Sequence, residues 1–303
     1  MTKDTPESRF TVSQQYSRRR VLGGLGLLAS APLLARMAIA QSPPTAAVTP
    51  MQLPLKLTEL IGHIGISVRD VIKSATFYSR LVGGANVNGE KNPSLRYFIT
   101  LNPGSVAIGL LGTLGSTGKT TPLIDHFCVT AAPYDDAAWR ARLKAEGLPY
   151  IAQGVFLGVD NIPIQVAGAQ GGESLSVGAV GKLPSLYEGK PLIESRGYDH
   201  LMLRVRDIDQ ACAFWLKMFG FSATQEEGVA WISDGRARIG FRGLKSGEEP
   251  GIEHYALKTA RFDRVKVSEQ LGKMGASVGS FDARKKALNL ADPDGIKLQL
   301  VSA

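Results

Sequence analysis

The chain is 303 residues long, 44% hydrophobic and 20% charged, with a formal net charge of +8. That length suits about two domains of ordinary size, each able to bury a real core. No basic run is interleaved with aromatics, and residues 1–40 supply half the net charge (six Lys and Arg against Asp4 and Glu7), so nucleic-acid binding is not expected.

In chain order, Ser17-Arg18-Arg19-Arg20-Val21-Leu22 resembles the twin-arginine export signature, with Val21 in place of its phenylalanine. An apolar run follows to Ala35, then Arg36, then Ala38-Ile39-Ala40, which resembles a cleavage site. The run is short for a membrane span and is interrupted by Pro32. These features predict a signal peptide over residues 1–40, a periplasmic or extracellular mature chain from Gln41, and the twin-arginine export machinery as a partner. Residues 41–57 are proline-rich and read as an extended lead-in.

Alternation then predicts a strand over 61–68, and Asp70 caps a helix to residue 81. Strands over 96–101 and 105–111 follow, joined by the turn Asn102-Pro103-Gly104. A second unit has a strand over 126–130, a helix over 135–146, and strands over 151–157 and 162–167. Residues 169–196, rich in Gly, Ser and Pro, read as a linker. The stretch 197–220 again runs strand into helix, with Leu201, Leu203 and Val205 on one face and His200, Met202 and Arg204 on the other. Strands over 229–233, 237–242 and 254–258 follow, with a helix over 263–274. A last hairpin joins 287–291 to 296–301 through Asp292-Pro293-Asp294-Gly295.

This pattern is a repeat. His63 and His200, Asp70 and Asp207, and Gly83 and Gly220 each stand 137 residues apart. His126 and His254, Asp135 and Asp263, and Gly147 and Gly275 each stand 128 apart. The chain has four histidines, and each one opens a unit. Fixed spacing of this kind decides architecture. It predicts an α+β fold of four βαβββ modules in two paired-module domains, residues 58–168 and 197–303. Cys128 and Cys212 fall on a histidine face and a helix stripe respectively, and both read as free thiols.

A strand-borne histidine opening each βαβββ module, with a final hairpin through Asp-Pro-Asp-Gly, resembles the vicinal oxygen chelate superfamily: glyoxalase I, bleomycin-resistance proteins and type I extradiol dioxygenases. The resemblance implies that paired modules surround a divalent metal with ligands from their first and last strands. The C-terminal pair then offers His200, His254 and Gln299 with Gly240, and the N-terminal pair His63, His126 and Gln165 with Gly109. Two dioxygenase positions differ: Gln299 stands where a glutamate ligand is expected, and Asn289 where the signature has a tyrosine. An amide oxygen still ligates but adds no charge, and the glycines leave coordination positions open.

By strand parity, Arg204, Arg238, Arg242, Lys258 and Lys297 share the face of His200 and His254, which suits an anionic substrate. Asn289, Arg204 and Lys258 are the catalytic candidates. The resemblance implies an exported, dioxygenase-like oxidoreductase acting on a small oxygenated, aromatic or anionic substrate, with iron(II) as first choice and manganese, copper or zinc as alternatives. A metal-dependent lyase or isomerase, and a non-catalytic binding protein of the bleomycin-resistance type, remain open, as does a homo-oligomer. The C-terminal pair is the expected working site.

Overall fold

The computed structural model describes residues 48–83, 86–87, 96–101, 103–112, 118–168, 186–187 and 189–302. The expected signal peptide and most of the linker lie outside the described residues. Among the described residues, no helix is long and apolar enough to cross a membrane.

The first module comprises β1 (Leu57–Val68), α1 (Val71–Val82), β2 (Asn86–Val87), β3 (Arg96–Thr100) and β4 (Ser105–Leu110). The second comprises β5 (Leu123–Ala131), α2 (Asp136–Ala145), β6 (Tyr150–Ala152), β7 (Val155–Leu157) and β8 (Pro163–Gly168). In the third, β9 (Ser195–Val205) and α3 (Ile208–Phe219) precede β10 (Thr224–Glu226), β11 (Val229–Ser233) and β12 (Arg238–Gly243). The fourth is β13 (Gly251–Thr259), α4 (Arg264–Lys273), β14 (Ser277–Asp282), β15 (Ala287–Ala291) and β16 (Lys297–Ser302). The fold is α+β, as the repeat predicts.

Each helix starts where the sequence says it should. Asp70, Asp135, Asp207 and Asp263 each accept a backbone N–H of the first turn, from Lys73, Ala138, Gln210 and both Val265 and Lys266. A cap of this kind contributes about 1 kcal/mol. The closing glycines Gly83, Gly147, Gly220 and Gly275 all sit at φ between 70° and 88°, where a side chain is strained.

Two eight-stranded sheets result, ordered β2-β3-β4-β1-β5-β8-β7-β6 and β10-β11-β12-β9-β13-β16-β15-β14. In each, two modules join through antiparallel first strands, β1 with β5 and β9 with β13. Each first strand also pairs in parallel with the last strand of its own module. Histidines and last-strand glutamines therefore meet near the middle of each sheet. The apolar faces of β1, β5, β9 and β13 and the apolar sides of the helices form one core. Phe127 stacks on Trp215 at 6.0 Å, so α3 docks on the N-terminal sheet. The pairs expected as separate domains thus share one interior.

The last hairpin of each half grips the other half. Tyr78 of α1 donates to Asp292 at 2.8 Å, and Ser74 donates to Asp294 at 2.6 Å. Reciprocally, Asp160 accepts from the backbone and guanidinium of Arg206, just ahead of α3, at 2.8 and 2.9 Å.

Three details differ from expectation. The strand expected over 151–157 is two short strands around Gln153-Gly154, both at positive φ, a tight hairpin turn. The βαβββ pattern calls for a third strand after each helix, but β2, β10 and β14 were not located in the sequence. β10 is exposed throughout and no residue of β14 is buried, leaving no buried face to impose alternation.

Candidate metal centre

The structure brings each histidine pair together. His200 Nε2 lies 3.2 Å from His254 Nε2, and His63 Nε2 lies 3.1 Å from His126 Nε2. Two nitrogens bound to one ion at about 2.1 Å stand about 3.0–3.4 Å apart for octahedral to tetrahedral angles. Both pairs fit that spacing. His63, His126 and His200 are buried, and His254 is nearly so.

How the rings are held was missed from sequence. Between Ala256 and Leu257 of β13, β9 advances two residues, from His200 to Tyr198, so Asp199 is an extra residue in the ladder. The same happens at Asp125, since Gly65 and Ile66 pair with His126 and Ile124. It happens again at Glu253, since Leu203 and Met202 pair with Ile252 and His254. A bulge abolishes alternation locally, so the acid before each of these histidines turns toward the ring that follows it. Asp199 Oδ1 lies 2.7 Å from His200 Nδ1, Asp125 Oδ1 lies 2.5 Å from His126 Nδ1, and Glu253 Oε1 lies 3.7 Å from His254 Nδ1. The dipeptides Asp125-His126, Asp199-His200 and Glu253-His254 were the visible signal, but strict alternation sends each acid to the opposite face. Ahead of His63 stands Gly62, and the ladder is irregular there too.

A carboxylate on Nδ1 keeps the proton at that nitrogen and leaves Nε2 with its lone pair. Held so by Asp199, His200 turns its Nε2 lone pair toward His254 Nε2 at 3.2 Å, a spacing that suits two ligands of one cation. Burial lowers the His200 pKa; Asp199 opposes the shift and neighbouring His254 adds to it, so the ring is neutral at pH 7. Glu253 is depressed to about 2 by hydrogen bonding to His254, with Arg242 adding to the effect against burial.

The glutamines complete the arrangement. Gln299 donates its amide to Asn289 Oδ1 at 2.9 Å, and Asn289 in turn donates to the carbonyl of Ser280 at 3.0 Å. Gln165 donates to the carbonyl of Gln153, in the hairpin turn, at 2.7 Å. Each contact spends the N–H side of the amide and leaves its oxygen as the available ligand. Among the described residues, no three His, Cys, Asp or Glu side chains cluster for a metal, so each candidate triad is two imidazoles and an amide. Asn289, considered as catalytic, orients Gln299.

A cavity of about 360 Å³ opens on the C-terminal pair, lined by residues that include His200, His254, Gln299, Asn289, Trp231 and Arg238. Trp231 sets its ring edge-to-face on His200 at 5.5 Å, and Arg238 covers Trp231 at 4.4 Å. Gly240 serves this wall: a Cβ there would meet Trp231 at 2.8 Å and Met202 at 3.0 Å, so it is not an open coordination position.

The expected ring of cations is not in the cavity. Arg204 and Lys258 share the histidine face but do not line the cavity: each stands two residues along its strand from the ladder partner of a histidine, Met202 opposite His254 and Ala256 opposite His200. Lys258 donates to the carbonyl of Arg236, and Arg242 is held by Glu248 and Glu253. Lys297 is exposed at the start of β16. Of the five only Arg238 lines the cavity, where it pairs with Glu226 at 3.1 Å. Asp199, Glu226, Glu227 and Asp282 line it too, so the walls do not favour an anion. Both cysteines are free; burial pushes the Cys128 thiol far up, and that thiol is inert.

Residues 197–300 match the family model of the Glyoxalase/Bleomycin resistance protein/Dioxygenase superfamily. No curated protein matches the chain by sequence. Among solved structures, homoprotocatechuate 2,3-dioxygenase from Arthrobacter globiformis superposes with a TM-score of 0.58 at 16% identity, over 86% of this chain and 84% of that one. The 2,3-dioxygenase LapB from Pseudomonas sp. KL28 gives 0.57 at 14%, over 82% and 93%. The Mn(II)-bound glyoxalase from Novosphingobium aromaticivorans gives 0.56 at 17% identity, over 82% and 83%. The two sheets, the four-module order and these superpositions agree: the chain has the vicinal oxygen chelate fold.

Proposed function

We propose that this chain is an exported, metal-dependent oxidoreductase of the dioxygenase-like kind, working at the C-terminal pair on a small oxygenated aromatic substrate. The observation that carries this reading is the approach of His200 Nε2 and His254 Nε2 to 3.2 Å, with an acid behind each ring, beside Gln299 in a cavity. A divalent ion held by His200, His254 and Gln299 would polarise substrate oxygens and stabilise developing negative charge. Iron(II) is the first choice and manganese the second, with zinc and copper also suited to imidazole ligands.

The remaining work belongs to the protein. Asp199 fixes the tautomer of His200, and Glu253 stands behind His254. Asn289 aims the Gln299 amide oxygen, and that neutral ligand leaves the ion its full charge. Trp231, Met202 and Val229 give the cavity an apolar wall on which an aromatic ring can lie. With Arg238 already paired, a neutral oxygenated substrate fits better than an anion. Glu226 and Glu227 at the rim are tied to Arg238 and Arg284, and Asp199 to His200. The fourth acid of the wall, Asp282, accepts the backbone N–H groups of Arg284 and Lys285, so each of the four is engaged, which disfavours proton abstraction by a lyase or isomerase. The same observation supports the second reading, a binding protein that sequesters a small molecule without turnover. The sequence of residues 1–40 supports export to the periplasm.

The test is metal analysis of the exported protein, followed by anaerobic Fe(II) loading and oxygen uptake with aromatic diols. Turnover that disappears in His254→Ala, with the circular dichroism unchanged, is expected. A loaded protein that binds such diols without consuming oxygen is a binding protein, and one that takes up no metal refutes both readings of the ion.

A further inference from the structure

We propose that the N-terminal half carries a second divalent-metal site, built from His63, His126 and Gln165, which is closed and stabilises the fold. Its argument does not depend on catalysis at the C-terminal pair. The first observation is how His126 is held. Asp125 is 5% exposed, and its carboxylate receives His126 Nδ1 at 2.5 Å and a short hydrogen bond from Ser67. Among the described residues, no Lys or Arg pairs with it. The Asp125 contact occupies the Nδ1 side of the His126 ring and leaves Nε2 as the atom that can meet an ion. The Nε2 lone pair of His126 points at His63 Nε2, 3.1 Å away, the spacing of two ligands on one ion.

The second observation is that the site is built around these groups. A Cβ at Gly65 would lie 2.1 Å from His126 Cε1 and 2.6 Å from Asp125 Oδ1, so a glycine is needed to seat the pair. The equivalent position of the C-terminal half, 137 residues on, is Met202. Gln165 is 5% exposed, and its amide N–H is fixed by the carbonyl of Gln153, a residue held at φ 50° in the β6–β7 turn. Phe98 sets its ring edge-to-face on His63 at 6.4 Å and is itself buried.

The donor set is two imidazole nitrogens and one amide oxygen, with Asp125 supplying charge from behind. It selects a first-row transition ion over calcium or magnesium. An ion bound there holds β1, β5 and β8 together, and because only the folded chain presents all three ligands, it stabilises by linkage.

The probe is Co(II), titrated into the metal-stripped mature chain and followed by visible absorption and by metal per chain. Two equivalents are expected for the wild type. His200→Ala/His254→Ala should retain one, and its Tm should rise by several degrees on adding Co(II). His63→Ala/His126→Ala should lose that equivalent and keep the other, and Gln165→Leu should weaken the same site about tenfold or more. Should the N-terminal variants fail to fold, an anomalous-difference map of Co(II)-loaded wild-type crystals decides the matter by a peak between His63 and His126. One equivalent that vanishes in His200→Ala/His254→Ala overturns this proposal and leaves the C-terminal reading intact. Uptake of none overturns both.

Discussion

Asp199 and Glu253 stand behind the two rings of the C-terminal imidazole pair, and Asp125 stands behind His126 of the N-terminal pair, while Gly62 rather than an acid precedes His63 in the chain. The strand plan behind them is the same, down to a ladder irregularity before every histidine. Surroundings separate the two. Around His200 and His254, Met202, Trp231 and Asn289 line a cavity, whereas the His126 ring packs down onto the backbone of Gly65. A fold can therefore place ligands twice by the same backbone device and decide by a few neighbouring side chains which copy admits a substrate.

The most direct way to break this comparison is to remove each pair in turn and measure turnover. Replacing His200 and His254 with Ala should lower activity by about a thousandfold or more, because a catalytic ion supplies several kcal/mol to the transition state. Replacing His63 and His126 should leave turnover within about a factor of three in protein that stays folded at the assay temperature. The reverse pattern would place the working site in the N-terminal half, and equal losses would mean that both sites turn over.

The comparison extends to the hairpins that join the halves. Asp292 is buried; its pKa is raised by burial, against the hydrogen bonds it accepts from Ile296, Tyr78 and Asp294. Asp292→Ala orphans these donors and should cost about 3 kcal/mol. Asp160 grips the other half through Arg206, whose side chain is 58% exposed, so Asp160→Ala should cost about 1 kcal/mol or less. Urea midpoints measure both. Equal costs would show that the two junctions carry the same share of the stability.

Much of this architecture is legible in the chain, and the rest fails for identifiable reasons. The four histidine strands, four aspartate caps and closing glycines could be read because each follows from local backbone chemistry. Bulges at Asp125, Asp199 and Glu253 could not, since one extra residue in a ladder leaves no mark on an alternating pattern. That one omission hid the acids behind the rings. The cations were read on the correct face, but of the five only Arg238 lines the cavity, because parity fixes a face and says nothing of where each side chain ends. Nor could the shared core be anticipated: Trp215 and Phe127 each read as apolar, but only packing reveals that they meet.

A finer comparison uses the two glutamines. Gln299→Glu should tighten divalent binding at the C-terminal site by about tenfold, since a carboxylate adds charge to oxygen ligation. Asn289 then loses the amide N–H it accepts, so the gain should grow when Asn289 is replaced by Ser. Gln165→Glu should tighten the N-terminal site less, because the carboxylate would face the Gln153 carbonyl where the amide N–H now donates. Calorimetric titration with Mn(II) resolves the two. An affinity unchanged by Gln299→Glu would place residue 299 outside the ligand set.

The smallest expected effect concerns acid. Glu253 is depressed to about 2, chiefly by hydrogen bonding to His254, and a carboxyl in the unfolded chain titrates near about 4.3. A carboxylate with a lowered folded pKa binds its proton more weakly in the native state than in the unfolded one. Its contribution is therefore fully present above about pH 5 and is lost as pH falls through about 4 toward 2. Metal-stripped wild type should lose stability across that window faster than Glu253→Gln, and the two should run parallel above it. Glu248 is also held at about 2, principally by Arg242, so it contributes to the acid slope in both proteins. Since Arg242 bridges both acids, part of the Glu253 effect should reappear through a tighter Arg242–Glu248 pair. Parallel curves throughout the acid range would mean that His254 and Arg242 do not hold Glu253 ionised, and the acid behind His254 would lose its energetic basis.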